Sequence, residues 1–471
     1  MPLRQLRFVA PDALVEAGLE RIREQKQIPS GFSPEVMAEL SAIEPRYPER
    51  DLTDIHFVTI DPPGSRDLDQ AFHLEQRRGG YTVRYAIADV GAFVTPGGAI
   101  DAEAWERGLT FYAPDTRTPL YPPELSEGKA SLLPDQTRPA LVWEIDLDGD
   151  GEIEGGEVGR AMVRSRTQFT YEEVQAQLDS GTASGSLRLL PEIGRLRQLL
   201  ERDRGAVSLS IPEQLVVKQD GGWSLVFKGP LPVERWNAQL SLLTGIFAAR
   251  MMTDAGAGIL RTLPPADPHR LRRLRRIATG LDIAWPEHLE YPDLVRSLDA
   301  RIPSHSALLA EATSLFAGAG YQALGDGAEP QLHAALATLY AHTTAPLRRL
   351  VDRFAGEACL AITAGRKVPD HVASALPQLP LTMAQSASRA GQYEAACVNF
   401  VEAAVMSTRV GEVFSGVVVE IDDDKPRGEV QLKNPAVLSI IEGDGLDLGD
   451  RLLVRVVEAS LPEGRVRFEV A

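Results

Sequence analysis

Residues 59–71 read TIDPPGSRDLDQA and hold three aspartates, Asp61, Asp67 and Asp69. A short β pattern precedes Asp61, and Pro62-Pro63-Gly64 predicts a loop that folds back on it. Asp67 and Asp69 are two residues apart, so an extended backbone would place both carboxylates on one face. Converging carboxylates repel one another unless a cation lies between them, and oxygen ligands suit Mg²⁺ or Mn²⁺. The stretch therefore predicts metal-assisted phosphodiester hydrolysis, with a solvated acidic loop as the alternative.

The flanking patterns predict an α+β protein of three domains. Residues 1–49 hold two helical patterns, one from about Pro11 to Gln25 and one that begins after Ser33, and predict a helix-turn-helix-like domain. A plain helical hairpin packed on the main body explains them equally well. Residues 50–405 change from short β patterns to helical patterns near residue 231. Residues 406–471 alternate as five short strands, which is typical of an OB-fold barrel.

Residues 146–157 fit the calcium-binding loop of an EF-hand, with acidic residues at the ligand positions and Gly151 at the turn. An EF-hand needs a helix on each side of this loop. Residues 140–145 and 157–163 instead have the apolar content of strands. The sequence therefore predicts an acidic β-hairpin here, and a calcium sensor is only a weak alternative.

The composition restricts the class of protein. There are 49 Lys and Arg against 66 Asp and Glu, a net charge of −17, which taken alone argues against a nucleic-acid partner. Cys359 and Cys397 lie far apart and predict reduced core thiols, and no zinc motif is present. No apolar run suits a membrane span or a secretory leader. We therefore expect a cytoplasmic protein with no membrane partner.

Residues 59–71 closely resemble the catalytic signature of the ribonuclease II/ribonuclease R family, roughly ID-x5-D-x-DDA. Further motifs follow in order: YAIADV at 85–90, YAP and PLYPPELS within 112–126, and TAPLRR at 344–349, followed by Asp352. The resemblance covers residues 50–405 as an RNB-type catalytic domain, β-rich first and helical second. It also extends to the C-terminal barrel as an RNA-binding domain of the ribosomal S-one type.

The resemblance implies a processive 3′→5′ exoribonuclease that converts single-stranded RNA with a free 3′ end to nucleoside 5′-monophosphates. By position, Asp61, Asp67 and Asp69 would hold Mg²⁺, or Mn²⁺, and its nucleophilic water, and Asp69 would be the catalytic carboxylate. No obligate protein partner is implied.

The remaining site residues implied by the resemblance would contact the RNA. Tyr112 would stack on or orient the 3′-terminal nucleotide, because aromatic stacking tolerates any base. Arg348, helped by Arg349, would bind the scissile phosphate and stabilise the charge of the transition state.

Two departures from the family pattern affect these expectations. Gln70 stands where the family has a fourth aspartate, so it would be a neutral fourth metal ligand at best. A catalytically impaired RNA-binding member of the family is therefore the competing hypothesis. The family also carries two cold-shock barrels before the catalytic domain, whereas residues 1–49 are helical. We therefore expect a shorter RNA entrance, formed by this helical piece and the C-terminal barrel, that contacts fewer nucleotides.

The family resemblance changes how the net charge is interpreted. Residues 255–280 hold six arginines and one aspartate, and five of those arginines lie between Arg270 and Arg276. We therefore expect RNA to be held in a narrow basic channel that includes these arginines. Binding over the acidic outer surface should be weak and sensitive to salt.

Overall fold

The computed structural model describes residues 10–207, 213–219, 222–299, 302–325, 327–422, 425–432 and 434–471. The first nine residues of the predicted N-terminal domain lie outside the described residues. So do short stretches of the two other predicted domains, among them 208–212 and 423–424.

The described elements form an α+β arrangement, as the sequence predicts. The helices are α1 Asp12–Gln25, α2 Pro34–Ala42, α3 Ala99–Arg107, α4 Tyr171–Asp179, α5 Ser186–Asp203, α6 Pro232–Ala255, α7 Pro268–Gly280, α8 Tyr291–Ser297, α9 Pro303–Ala312, α10 Leu350–Thr363, α11 Asp370–Ala375 and α12 Leu379–Met406. The strands are β1 Ala10–Pro11, β2 Phe57–Ile60, β3 Gln70–Arg77, β4 Gly80–Ala88, β5 Phe111–Tyr112, β6 Arg117–Thr118, β7 Thr137–Asp148, β8 Ile153–Phe169, β9 Glu213–Gln219, β10 Gly222–Lys228, β11 Gly258–Thr262, β12 Gly320–Leu324, β13 Val413–Ile421, β14 Arg427–Leu432, β15 Leu438–Glu442, β16 Arg451–Ser460 and β17 Arg465–Val470.

The β-rich half of the catalytic domain closes into a barrel, which the sequence patterns alone do not reveal. Its strand order is β2-β3-β4-β7-β8, and the parallel pairing of β2 with β8 completes the circle. The Trp143 ring is fully buried and meets Phe247 of α6 edge to face, with ring centroids 6.2 Å apart. This contact joins the barrel to the helical half, so that α6 and α10 lie in the same core as the barrel.

The acidic segment at 146–157 forms the predicted β-hairpin. β7 ends at Asp148 and β8 begins at Ile153, and the two strands pair antiparallel. The Asp148 carboxylate accepts hydrogen bonds from the backbone amides of Asp150 and Glu152, at 2.9 and 2.8 Å. The acidic side chains thus build a turn between strands, without the helices of an EF-hand.

Both N-terminal helices are present, but they pack against different parts of the protein. α1 buries Val15, Leu19 and Ile22 in a cluster with α12 and the C-terminal barrel. α2 begins at Pro34 with Ser33 as its N-cap and buries its apolar face in the core of the catalytic domain, beside α3. The helix-turn-helix-like description therefore applies to their order in the chain and not to a separate packed unit.

The five C-terminal strands close into the predicted OB-type barrel, in the order β13-β14-β15-β17-β16. Its core shares one apolar cluster with α1, α12 and the β9–β10 hairpin. None of the described helices is both long and apolar enough to span a membrane.

The arginines of α7 are used largely within a small helical unit formed by α7, α8 and α9. Arg270 donates to the Ser314 carbonyl, Arg273 pairs with Glu311 at 3.4 Å, and Arg275 lies 4.4 Å from the Trp285 ring centroid. The apolar side of the unit packs on the C-terminal barrel at Val419. Arg272 and Arg276 of the same helix are exposed, and the contact of this stretch with RNA stays a prediction.

Candidate active site

The three aspartates lie on the loop between β2 and β3, residues 61–69, which we name the aspartate loop. Gly64 has a φ of 81°, a conformation that favours glycine and turns the chain after the two prolines. Ser131 fixes the returning half of the loop: its Oγ accepts from the Leu68 amide at 3.0 Å and donates to the Arg66 carbonyl at 2.6 Å. The loop therefore reaches β3 in a defined conformation.

Residues 343–349 form a second loop, which we name the arginine loop. Asp352, in the first turn of α10, accepts a hydrogen bond from the Ala345 amide at 2.7 Å. Its carboxylate also accepts two hydrogen bonds from Arg349, at 2.9 and 2.7 Å. Arg349 is thus a positioning residue that faces the protein interior. The predicted help of Arg349 in holding a phosphate stays a prediction.

The two loops meet at Asp69. Its Oδ1 accepts a hydrogen bond from the Leu347 amide at 2.8 Å, and its Oδ2 lies 3.4 Å from Arg348 Nε. Asp69 is buried, whereas the Arg348 side chain is 47% exposed. The arrangement places an accessible guanidinium directly beside a buried carboxylate.

Burial gives two of the aspartates an unusual affinity for protons. Burial, helped by the charge of Asp67, raises the pKa of Asp61 to about 6. Burial also raises the pKa of Asp69 to about 8, although Arg348 and the Leu347 amide act in the opposite direction. Asp61 Oδ2 is buried and has no hydrogen-bond partner among the described residues. A cation at this position would compensate both carboxylates.

Asp67 already has a cationic partner. Arg117 donates to Asp67 Oδ1 from β6 and also pairs with Glu127 at 2.8 Å. Among the described residues, no three His, Cys, Asp or Glu side chains are grouped as a complete metal site. The oxygen donors and the unpartnered Asp61 Oδ2 nevertheless fit a hard divalent cation. Arg117 contacts Oδ1 of Asp67, so Oδ2 could bind such a cation while this ion pair remains.

Gln70 is fully engaged by protein groups. Its Nε2 donates to the Thr344 carbonyl at 2.7 Å, and its Oε1 accepts from the Tyr85 hydroxyl at 2.6 Å. These contacts tie the start of β3 to the arginine loop. The structure therefore shows Gln70 in a bridging contact, and its role as a possible metal ligand stays a prediction.

Tyr112 lies on the short β5–β6 hairpin at the edge of the site. Its side chain is 45% exposed, so one face of the ring is open to a ligand. Burial of the hydroxyl end raises the pKa of Tyr112, and the charged groups that act on it include Arg348, Asp67 and Asp69. The site thus combines acidic, cationic and aromatic side chains from separate segments of the chain.

Sequence reasoning missed two contributors to this geometry, Arg117 and Tyr85. Both lie inside the stretches that resemble family motifs: Tyr85 begins YAIADV, and Arg117 precedes PLYPPELS. The position of Arg117 between two acidic segments is a sequence signal that could have identified it as part of the site. No sequence signal connects the Tyr85 hydroxyl to Gln70, because the pairing of β3 with β4 brings them together.

Comparison with known proteins agrees with this geometry. Residues 49–356 match the model described as RNB domain, and residues 412–471 match the RNase II-type exonuclease C-terminal S1 domain.

The individual relatives have low sequence identity to this chain. The chain is similar to ribonuclease R of Aquifex aeolicus, 24% identical over 514 residues, which cover 98% of this chain and 70% of the relative. It is 34% identical to ribonuclease R of Acidithiobacillus ferrooxidans over 182 residues, 37% of this chain and 42% of the relative. The fold matches Mycoplasma genitalium RNase R in complex with ribose methylated single-stranded RNA, with a TM-score of 0.88, 21% identity, and coverage of 97% of this chain and 78% of that one. The chain belongs to the RNB-domain family, the family of the ribonuclease R and ribonuclease II exoribonucleases.

Proposed function

We propose that the chain is a metal-dependent, processive exoribonuclease that shortens single-stranded RNA from its 3′ end and releases nucleoside 5′-monophosphates in the cytoplasm. The observation that carries the proposal is the meeting of half-buried Asp61 and buried Asp69 with accessible Arg348 and Tyr112. Buried carboxylates suit a cation, and an exposed arginine beside them suits a phosphate. No protein partner is needed for this chemistry.

Asp61, Asp67 and Asp69 would hold Mg²⁺ or Mn²⁺. Such an ion, when bound, supplies an activated water and stabilises negative charge on the phosphate. The chain itself buries Asp69. It also fixes the orientation of this side chain, because the Leu347 amide holds the carboxylate on one side. The arginine loop keeps that amide in place through Asp352.

Arg348 and Tyr112 would position the RNA. The Arg348 guanidinium can donate to the scissile phosphate while its Nε remains beside Asp69. The open face of Tyr112 can stack on the terminal base, and stacking does not depend on which base is present. Together they favour a substrate that has a free end and no sequence requirement.

The test uses 5′-labelled poly(A) incubated with the protein in Mg²⁺, Mn²⁺ or EDTA and followed on a gel. Asp69→Asn keeps the shape of the side chain and removes its charge. Asp370→Asn is the matched control, because Asp370 is exposed and pairs only with Lys367 in the described structure. We expect metal-dependent shortening by the wild type and the control, and at least a hundredfold loss in Asp69→Asn, on the order of the loss of an essential electrostatic group.

The products test the direction and the extent of digestion. Conversion of full-length RNA to a short 5′-labelled limit product with few intermediates indicates processive attack from the 3′ end, and chromatography identifies the released monophosphates. RNA binding without shortening in any metal would instead establish the catalytically impaired alternative. Single-stranded 3′ tails left as long as those from a full-length homologue would contradict the expected short entrance.

A further inference from the structure

An open cleft of about 680 Å³ lies between the end of α1 and the middle of α12. We name it the amide cleft. The α1 side presents Gln25, Lys26 and Gln27, and the α12 side presents Gln385, Arg389 and Gln392. It is separate from the aspartate loop and lies on a part of the chain that the proposed mechanism does not use.

The chemistry of the amide cleft differs from that of the chain as a whole. Its walls hold two cations and four amides and no carboxylate, in a protein with a net charge of −17. Lys26 forms no ion pair within the described part of the chain, and Gln25, Gln27 and Gln385 are exposed. Amides and unpaired cations bind phosphate and ribose oxygens without reading a base.

The cleft is connected to the candidate active site through the β5–β6 hairpin. Arg389 lies with its guanidinium 4.7 Å from the Phe111 ring centroid, and the next residue is Tyr112. On the other side, Arg23 of α1 pairs with Asp115 of the same hairpin at 2.9 Å. The hairpin that presents Tyr112 therefore contacts both of the helices that form the cleft.

We propose that the amide cleft binds the sugar–phosphate backbone of single-stranded RNA upstream of the nucleotide at Tyr112. This inference rests on the proposed function and adds to it a binding site for the following nucleotides. RNA is the proposed ligand because the cleft is cationic, is rich in amides and is joined to the hairpin that carries the stacking tyrosine. It predicts that affinity depends on RNA length and not on sequence.

The test places negative charge in the cleft without changing side-chain shape. The variant Gln25→Glu/Gln385→Glu alters one exposed residue on each wall. The control Gln76→Glu/Gln331→Glu adds the same charge at exposed positions outside the cleft. Binding of 5′-labelled oligo(A) of about 4 and about 16 nucleotides, the range covered by single-strand sites, is measured by fluorescence anisotropy in EDTA.

We expect the cleft variant to bind the longer RNA at least about fivefold more weakly than the control does, and to bind the shorter RNA equally well. Lys26→Gln should also lower the slope of log K against log salt by about 0.7, the value for one lost contact on a single strand. Equal binding of the longer RNA by the cleft variant and the control would overturn the proposal. Equal weakening for both RNA lengths would overturn it too.

The shortening assay on the same preparations separates this inference from the proposed function. If the wild type shortens RNA but the cleft variant binds it like the control, only the cleft proposal fails. If the wild type binds RNA through the cleft but never shortens it, only the proposed function fails.

Discussion

Gln70 links the start of β3 to the arginine loop and to β4 through the two ends of its amide. Its nitrogen donates to the Thr344 carbonyl while its oxygen accepts from the Tyr85 hydroxyl. Only a neutral amide serves both partners, because an ionised carboxylate has no hydrogen to offer Thr344. Since the same loop holds Asp69 through the Leu347 amide, we infer that Gln70 positions Asp69 indirectly.

Gln70→Glu should therefore destabilise the protein. The new carboxylate would face the Thr344 carbonyl oxygen, and the free energy of unfolding at pH 8 should fall by about 1–3 kcal/mol, the usual cost of a buried unsatisfied polar group. Urea denaturation measures the loss. Gln76→Glu, on the exposed part of β3, is the control and should change stability little. Equal stability of the two variants would contradict the bridging role.

Arg117 competes with any cation for Asp67. Arg117→Gln removes the competing charge and leaves the carboxylates of the aspartate loop less compensated, so the affinity for Mn²⁺ should rise. We expect an increase of about fivefold, which corresponds to about 1 kcal/mol. Isothermal titration calorimetry without RNA measures the dissociation constant directly.

Arg66→Gln is the matched control for this prediction. Arg66 lies on the same loop, but its side chain is 65% exposed and its distance to Glu127 is 3.9 Å. Its loss should leave Mn²⁺ binding nearly unchanged. Weaker Mn²⁺ binding in Arg117→Gln would show that Arg117 supports the metal site and does not compete with it.

The sequence was sufficient to predict which segments meet at the site, but not the contacts of each side chain. Asp69 and Arg348 lie side by side as the motif order implies. Arg349 was assigned to the RNA because it follows Arg348, yet it faces inward to Asp352. The direction of an arginine depends on which carboxylate the fold brings near, and that information is tertiary.

At the scale of elements, α1 and α12 approach each other at Gly18. A Cβ atom at this position would overlap the Phe400 ring, which is itself buried. Leu19 and Ile22 pack into the same cluster, and this close contact keeps α1 beside the amide cleft. The glycine is therefore required by packing, although in most helix interiors it is unfavourable.

Gly18→Ala should lower the free energy of unfolding by about 1–3 kcal/mol, because the added methyl overpacks a filled site. Gly391→Ala on α12 is the control: a Cβ there has no neighbour within 4 Å. Since alanine is the better helix former, this control should raise stability by about 0.5–1 kcal/mol. Thermal unfolding of both variants measures the two changes. A stabilising Gly18→Ala would disprove the close approach.

Local sequence signals predicted individual elements, but they did not predict that the strands of the catalytic domain close into a barrel. The Ser33–Pro34 cap and the hairpin after Asp148 appear where the sequence places them. The closed catalytic barrel was not predicted, because the parallel pairing of β2 with β8 joins strands about a hundred residues apart. Likewise, the contacts of the Arg270–Arg276 stretch were not predicted, because the sequence pattern does not show that Glu311 and Trp285 pack beside it.

At the scale of the whole molecule, the net charge of −17 restricts where RNA can bind. In the C-terminal barrel, Arg427, Arg455, Arg465 and Arg467 each pair with a carboxylate of the same barrel. The outer face of this barrel therefore offers little free positive charge. Arg348 and the cations of the amide cleft lie outside this barrel and are accessible to a phosphate backbone.

Helix α12 and the C-terminal barrel share one apolar cluster, and the carboxyl group of Glu402 is buried beside it. Glu402 of α12 is buried, and its Oε1 accepts hydrogen bonds from Gln214 of β9 and from the Leu438 amide of β15, at 2.6 and 2.9 Å. Burial raises the pKa of Glu402 from 4.5 to about 7. The folded protein thus binds this proton more tightly than the unfolded chain does.

A raised carboxyl pKa makes stability fall as pH increases. The stabilisation that Glu402 contributes is complete below about pH 4.5 and is lost as pH rises towards about 7. Glu402→Gln keeps the oxygen acceptor and carries no charge, so at pH 8 it should be more stable than the wild type by roughly 3 kcal/mol. At about pH 4 the two proteins should be equally stable. Urea unfolding across this range measures the difference, and Glu394→Gln, exposed on the same helix, should show none. If Glu402→Gln were more stable than the wild type by the same amount at both pH values, Glu402 would not be the group whose titration changes stability.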